Sequence, residues 1–165
     1  MATKADFTTQ EWSQLIESAM LASVALTAAE PSGLWGTLQE GFANATGLVG
    51  ARSSQTPLIK EIVTALATSE GRTIATDAIQ QRFKGVQASD AVQNSVTAIA
   101  AVSKILDSKA GPDAGPFKTW IYANSQRVAE ASTEGGFLGF GGQKVSEQER
   151  ATLVQLQKAL GLAAD

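Results

Sequence analysis

The sequence predicts an all-α fold, a single compact bundle of about seven helices occupying residues 1–165, on three observations. Apolar residues recur at spacings of three and four rather than two, the period of a helix face. Recognisable helix starts and stops punctuate that pattern, with Ser or Thr before an acidic residue at the starts and Gly or Pro at the ends. Hydrophobic residues make up 44% of the 165 residues and charged ones 18%, too apolar for a disordered chain and enough to bury a single core without metal or disulfide staples.

The first helix starts near Thr8, where Glu11 stands three residues on and completes a capping box. Trp12, Leu15, Ile16, Ala19, Ala22 and Leu26 then fall on one stripe, and Pro31 stops the helix because it cannot donate a backbone hydrogen bond. Ser32 opens a second, glycine-weakened helix carrying Leu34, Trp35, Leu38, Phe42 and Ala45. A connector rich in Gly, Ser and Thr leads to Thr56 as a cap and Pro57 at the first helical position.

The third helix turns Leu58, Ile59, Ile62, Val63 and Leu66 inward and is expected to end at Gly71. A short fourth, from Thr73 to Lys84, presents Ile74, Ala78, Ile79 and Phe83. Ser89 caps a fifth that runs through Val92, Val96, Ile99, Val102 and Leu106 to the breaker KAGPDAGP, read as a surface turn. Pro116 starts the sixth, with Phe117, Trp120, Ile121, Asn124 and Val128 on one side. Ser146 and Glu149 repeat the capping box before Leu153, Leu156 and Leu160, and Gly161 ends the last helix.

Composition excludes much chemistry. The chain has no histidine and no cysteine. Ser-His-Asp and Cys-His nucleophile systems therefore cannot be assembled, nor can thiolate or imidazole zinc sites. A formal net charge of -3, with no cluster of Lys or Arg, argues against nucleic acid, whose backbone is bound by grouped cations. The Ala-rich stretch from Ala19 to Ala29 has the length of a signal-peptide core, but Asp6, Glu11 and Glu17 precede it where a basic flank belongs, so it reads as a core helix. No membrane span is expected, and the cytoplasm is the expected location. Asp107 and Asp113 lie near each other in sequence, but Lys109 stands where a calcium ligand belongs, so no metal or cofactor is expected.

The stretch EGGFLGFGGQKVSEQE, Glu134 to Glu149, is the segment most open to function. Gly136 and Gly141 have the spacing of a phosphate loop, yet Gly142 occupies its lysine position and a helix precedes it. Lys144 and Ser146 at the start of the last helix form a weak candidate anion site, opposed by Glu147 and Glu149 in the same turn. Phe137, Leu138 and Phe140 form a candidate partner or ligand surface together with Trp35. The Gly135 to Gly142 loop is either a plug that buries these side chains in the bundle, the ordinary fate of apolar loop residues, or an exposed flap for a partner or ligand. Asn124, on an apolar face, is expected to be a structural hydrogen-bonder, because a buried amide must find partners.

The tail VSEQERATLVQLQKALGL and the early TAAEPSGLWGTLQE resemble the ends of small tellurite-resistance-B-like helical bundle proteins, in which an acidic turn follows one Ala-rich helix. The resemblance covers about a fifth of the chain and implies an all-helical fold. Glu30-Pro31 stands where that family shows an Asp-Gly pair, so no metal site is carried over.

The function expected from these readings is that of a non-catalytic bundle acting through protein–protein contacts or self-association, in a bacterial stress or accessory role. The alternative is a carrier or sensor of a small apolar ligand held between helices.

Overall fold

The computed structural model describes residues 1–29, 54–134 and 145–163, with side chains through residue 130 in the second of these segments. Among the described residues the fold is all-helical, with six α-helices: α1 (Thr9–Ala29), α2 (Pro57–Ala67), α3 (Ser69–Phe83), α4 (Ala88–Lys109), α5 (Ala114–Glu134) and α6 (Glu147–Leu160). Short 3-10 turns at Lys4–Asp6 and Gly111–Asp113 precede α1 and α5. The predicted second helix, with Trp35, lies outside the described residues. So does the Gly135 to Gly142 loop with Phe137, Leu138 and Phe140, and so does Lys144.

α1 is the axis of the bundle. It packs against α4 most extensively and also against α3, α5, α6 and α2. The single stripe expected for it is too narrow. Ser18, Met20, Leu21, Val24 and Ala25 are buried along with Leu15, Ile16, Ala19 and Ala22, so this helix is enclosed on all sides. A helix that is apolar all round belongs in the middle of a protein. That is why the Ala19 to Ala29 stretch imitates a secretory core: both environments demand small and apolar residues.

The α2–α3 corner differs from its prediction. α2 ends at Ala67, and Gly71 lies inside the first turn of α3 rather than terminating α2. Thr68 makes both ends: its hydroxyl donates to the Ala65 carbonyl at 2.6 Å and accepts from the Gly71 amide at 3.0 Å. A Cβ on Gly71 would stand 2.0 Å from the Ala65 carbonyl oxygen, so the glycine is required by close approach and not by a left-handed turn. The α2 face itself is as predicted, with Leu58, Ile59, Ile62, Val63 and Leu66 all buried.

Two helix starts also move. Gln87 rather than Ser89 occupies the cap position of α4, and α5 begins at Ala114, leaving Pro116 inside its first turn, where a missing N–H costs nothing. The buried face of α4 is rotated from the predicted one. Ala91, Ser95, Ala98 and Ser103 join Ile99, Val102 and Leu106, while Val92 and Val96 are only partly buried. Small residues let α1 approach closely along this seam.

Both capping boxes form. At the start of α1 the Thr8 amide donates to Glu11 at 2.7 Å and the Glu11 amide to the Thr8 hydroxyl at 3.2 Å. At the start of α6 the Ser146 amide donates to Glu149 at 2.8 Å and the Glu149 amide to the Ser146 hydroxyl at 3.1 Å. Gly161 closes α6 in the left-handed conformation, at φ 68°.

Candidate functional site

The sequence-predicted surface residues Trp35, Phe137, Leu138 and Phe140 fall outside the described residues, as does Lys144. Of the candidate anion site only Ser146 is described. Its hydroxyl and its amide are both engaged by Glu149, which is itself buried, so a carboxylate already complements this helix terminus.

The interior offers other polar groups, which divide by what they do. Glu17 sits in the middle of α1 and is buried, and Arg82 near the end of α3 grips it with two parallel bonds, Nε to Oε1 at 2.5 Å and Nη2 to Oε2 at 2.9 Å. Bidentate geometry suits a planar guanidinium, and Glu17 raises the pKa of Arg82 against the opposing effect of desolvation. Asp113 is buried and accepts from the Ala2 amide at 2.9 Å, which ties the start of the chain to the start of α5. The expected surface turn is therefore a junction: the KAGPDAGP segment turns Asp113 inward.

Lys118 on α5 is buried along its stem and places its ammonium 2.6 Å from Asp107 of α4. Long cationic side chains bury the stem and keep the head where a carboxylate can meet it. Nearer the surface, Lys109 of α4 bonds Glu11 of α1 at 2.6 Å, and the Lys4 amide donates to Glu61 of α2 at 2.8 Å. Lys109, helped by the Thr8 amide, lowers the pKa of Glu11 from the ordinary 4.5 to about 2. Each buried charged side chain among the described residues, namely Glu17, Asp113, Lys118 and Glu149, is thus engaged by a partner within the fold.

Buried hydroxyls are served as well. Ser18, Ser95 and Ser125 donate to carbonyls of their own helices, and Ser103 of α4 donates to the Leu160 carbonyl of α6 at 3.2 Å. Asn124 breaks the rule. It is 5% exposed, on the face of α5 that buries Phe117, Ile121, Ser125 and Ala129, and its Nδ2 has no hydrogen-bond partner among the described residues. The structural hydrogen bond expected for this amide is not made by its Nδ2 among the described residues.

Sequence reasoning passed over Glu17, Arg82 and Lys118. Glu17 had a readable signal, a lone carboxylate with apolar residues on both sides, which calls for a cation from elsewhere. Arg82 and Lys118 had none, since each looks like an ordinary surface charge until its neighbour in space is known.

Among the described residues no group of three or more carboxylates is placed to hold a metal ion, and no helix is long and apolar enough to cross a membrane. The chain matches no protein-family model, no curated protein and no solved structure.

Proposed function

We propose that the protein is a non-catalytic helical bundle that works through contacts with another protein or with a second copy of itself. The observation that supports this reading is how the ionic groups are used. Glu17–Arg82, Lys109–Glu11 and the Asp113–Ala2 bond join elements distant in sequence, Lys118–Asp107 joins the consecutive helices α4 and α5, and each of these charged groups is spent on another part of the fold. Charged groups that fasten helices to one another rigidify the fold and fix one surface in advance. A surface fixed in advance binds a partner with little loss of conformational freedom.

The test is in two stages. Affinity capture from the source cells identifies a candidate, which is then purified and titrated calorimetrically, with sedimentation of the protein alone to measure self-association. Saturable binding of the purified candidate, or a concentration-dependent dimer, supports the reading. Turnover of a substrate that is lost when one carboxylate is neutralised overturns it.

A further inference from the structure

Residues 1–8 lie ahead of α1, and of these only Ala2 and Phe7 are buried, so little apolar area secures the segment to the bundle. Its backbone amides supply other ties, and four of them donate to carboxylates. Ala2 donates to Asp113 at 2.9 Å, Thr3 to Asp6 at 2.8 Å, Lys4 to Glu61 at 2.8 Å and Thr8 to Glu11 at 2.7 Å. Two of these bonds are local. The other two reach the turn before α5 and the middle of α2, so the segment spans two elements far apart in the chain. An N–H bonded to an ionised carboxylate is held about twice as strongly as one bonded to a neutral acceptor, and protonation removes that advantage.

We propose that residues 1–8 form an acid-released strap, latched by the ionised Asp113 and Glu61, which lifts from the bundle when these carboxylates protonate while the helices stay folded. The order of events follows from what holds each part. The helices close over a core in which Leu15, Leu21, Ile62, Ile99 and Leu106 are fully buried, and that core does not titrate. The strap has two apolar anchors, and its ties to α2 and to the turn before α5 both end on carboxylates. Other charges meet the two local acceptors: Lys109 of α4 bonds Glu11, and the amino group of Met1 acts on Asp6 alongside the Thr3 bonds. The Thr3 amide is the leading cause that holds Asp6 below its ordinary value, and Lys109 is the leading cause that takes Glu11 to about 2. A carboxyl depressed in the folded state stabilises it above the unfolded value and loses that contribution as the pH falls, so acid is the direction of release. The strap concerns one segment of the fold and does not depend on what the protein binds.

The test uses the full-length protein, labelled at backbone nitrogen and at alanine methyls, titrated by NMR from about pH 7 to about pH 2.5 across the ordinary carboxylate range. The proposal expects the Ala2 methyl and the Lys4 and Phe7 amides to reach unstructured positions at a higher pH than the Leu21 and Ile99 amides. Asp113→Asn keeps the shape and removes the charge, and should raise the open population of the strap about tenfold at neutral pH, read as lost hydrogen-exchange protection of the Phe7 amide. Glu61→Gln, at a less buried position, should act in the same direction and carries the comparison if D113N does not fold. Strap and core signals lost together at one pH overturn the proposal. So does a strap that keeps its native positions to the acid end of the titration, or a Phe7 amide equally protected in the parent and the folded variants.

Discussion

α1 and α3 pack against each other yet follow opposite rules. α1 is buried at nearly every position from Leu15 to Leu26 and filled there with Leu, Ile, Val, Met and Ala, and it packs against every other α-helix among the described residues. α3 is polar, and buries only Gly71, Ala75, Ile79 and Phe83, one residue per turn along a single line. The difference shows that a helix in this protein owes its stability to position more than to intrinsic preference. α3 forms because a narrow stripe, a glycine contact at one end and an arginine clasp near the other hold it against neighbours that are already in place.

The contrast is broken most severely in the middle of α1. Leu21→Ala removes a fully buried side chain and should cost about 3 kcal/mol or more, whereas Gln80→Ala on the exposed side of α3 should stay within about 0.5 kcal/mol, both read from urea unfolding midpoints at unchanged slope. Equal effects at the two positions would mean that α1 is not the enclosed axis.

The clasp between the two helices comes next. Arg82→Ala leaves the Glu17 carboxylate buried without its cation, and should cost about 2 kcal/mol, below the range for wholly buried pairs because the Arg82 side chain is 31% exposed. A double-mutant cycle with Glu17→Gln should show strong coupling between the two positions. Additive single effects would sink the claim that the pair fixes α3 on α1.

The smallest effect is at the solvent end of α1, where Glu11 behaves as a surface group although it belongs to the central helix. Its pKa is depressed, from 4.5 to about 2, with Lys109 as the leading cause. Its contribution to stability is therefore fully present above about pH 4.5 and fades as the pH falls through about 2. Carboxyl NMR should place the Glu11 midpoint near 2 in low salt, with Lys109→Ala or added salt moving it upward. An unchanged midpoint in Lys109→Ala would show that the Thr8 cap alone sets it.

Much of this was legible along the chain. Both capping boxes, the α2 face, the glycine stop of α6 and the helical class follow from interactions between residues within about four positions of each other, which sequence displays directly. The misjudged features share the opposite property. Gly71 resembled a helix terminus because glycine often is one, but its role is set by the carbonyl of Ala65 across a helix corner. Asp113 resembled a surface turn because Pro and Gly flank it, and only the return of Ala2 to that end of the bundle buries it. Asn124 is the sharpest case: sequence marked it as polar on an apolar face, and no local pattern reveals whether an acceptor stands opposite.

By itself, then, the sequence determined that the chain is helical, where several helices begin and end, and that imidazole and thiol chemistry are beyond its reach, because each depends on residue type or on neighbours a turn away. The tertiary structure alone decided which helix became the axis, which cation meets Glu17, and which buried amide nitrogen finds no acceptor among the described residues. Those outcomes depend on residues tens of positions apart being brought within a few ångströms, as Arg82 and Glu17 are at 2.5 Å, and packing makes that choice among faces that look alike along the chain.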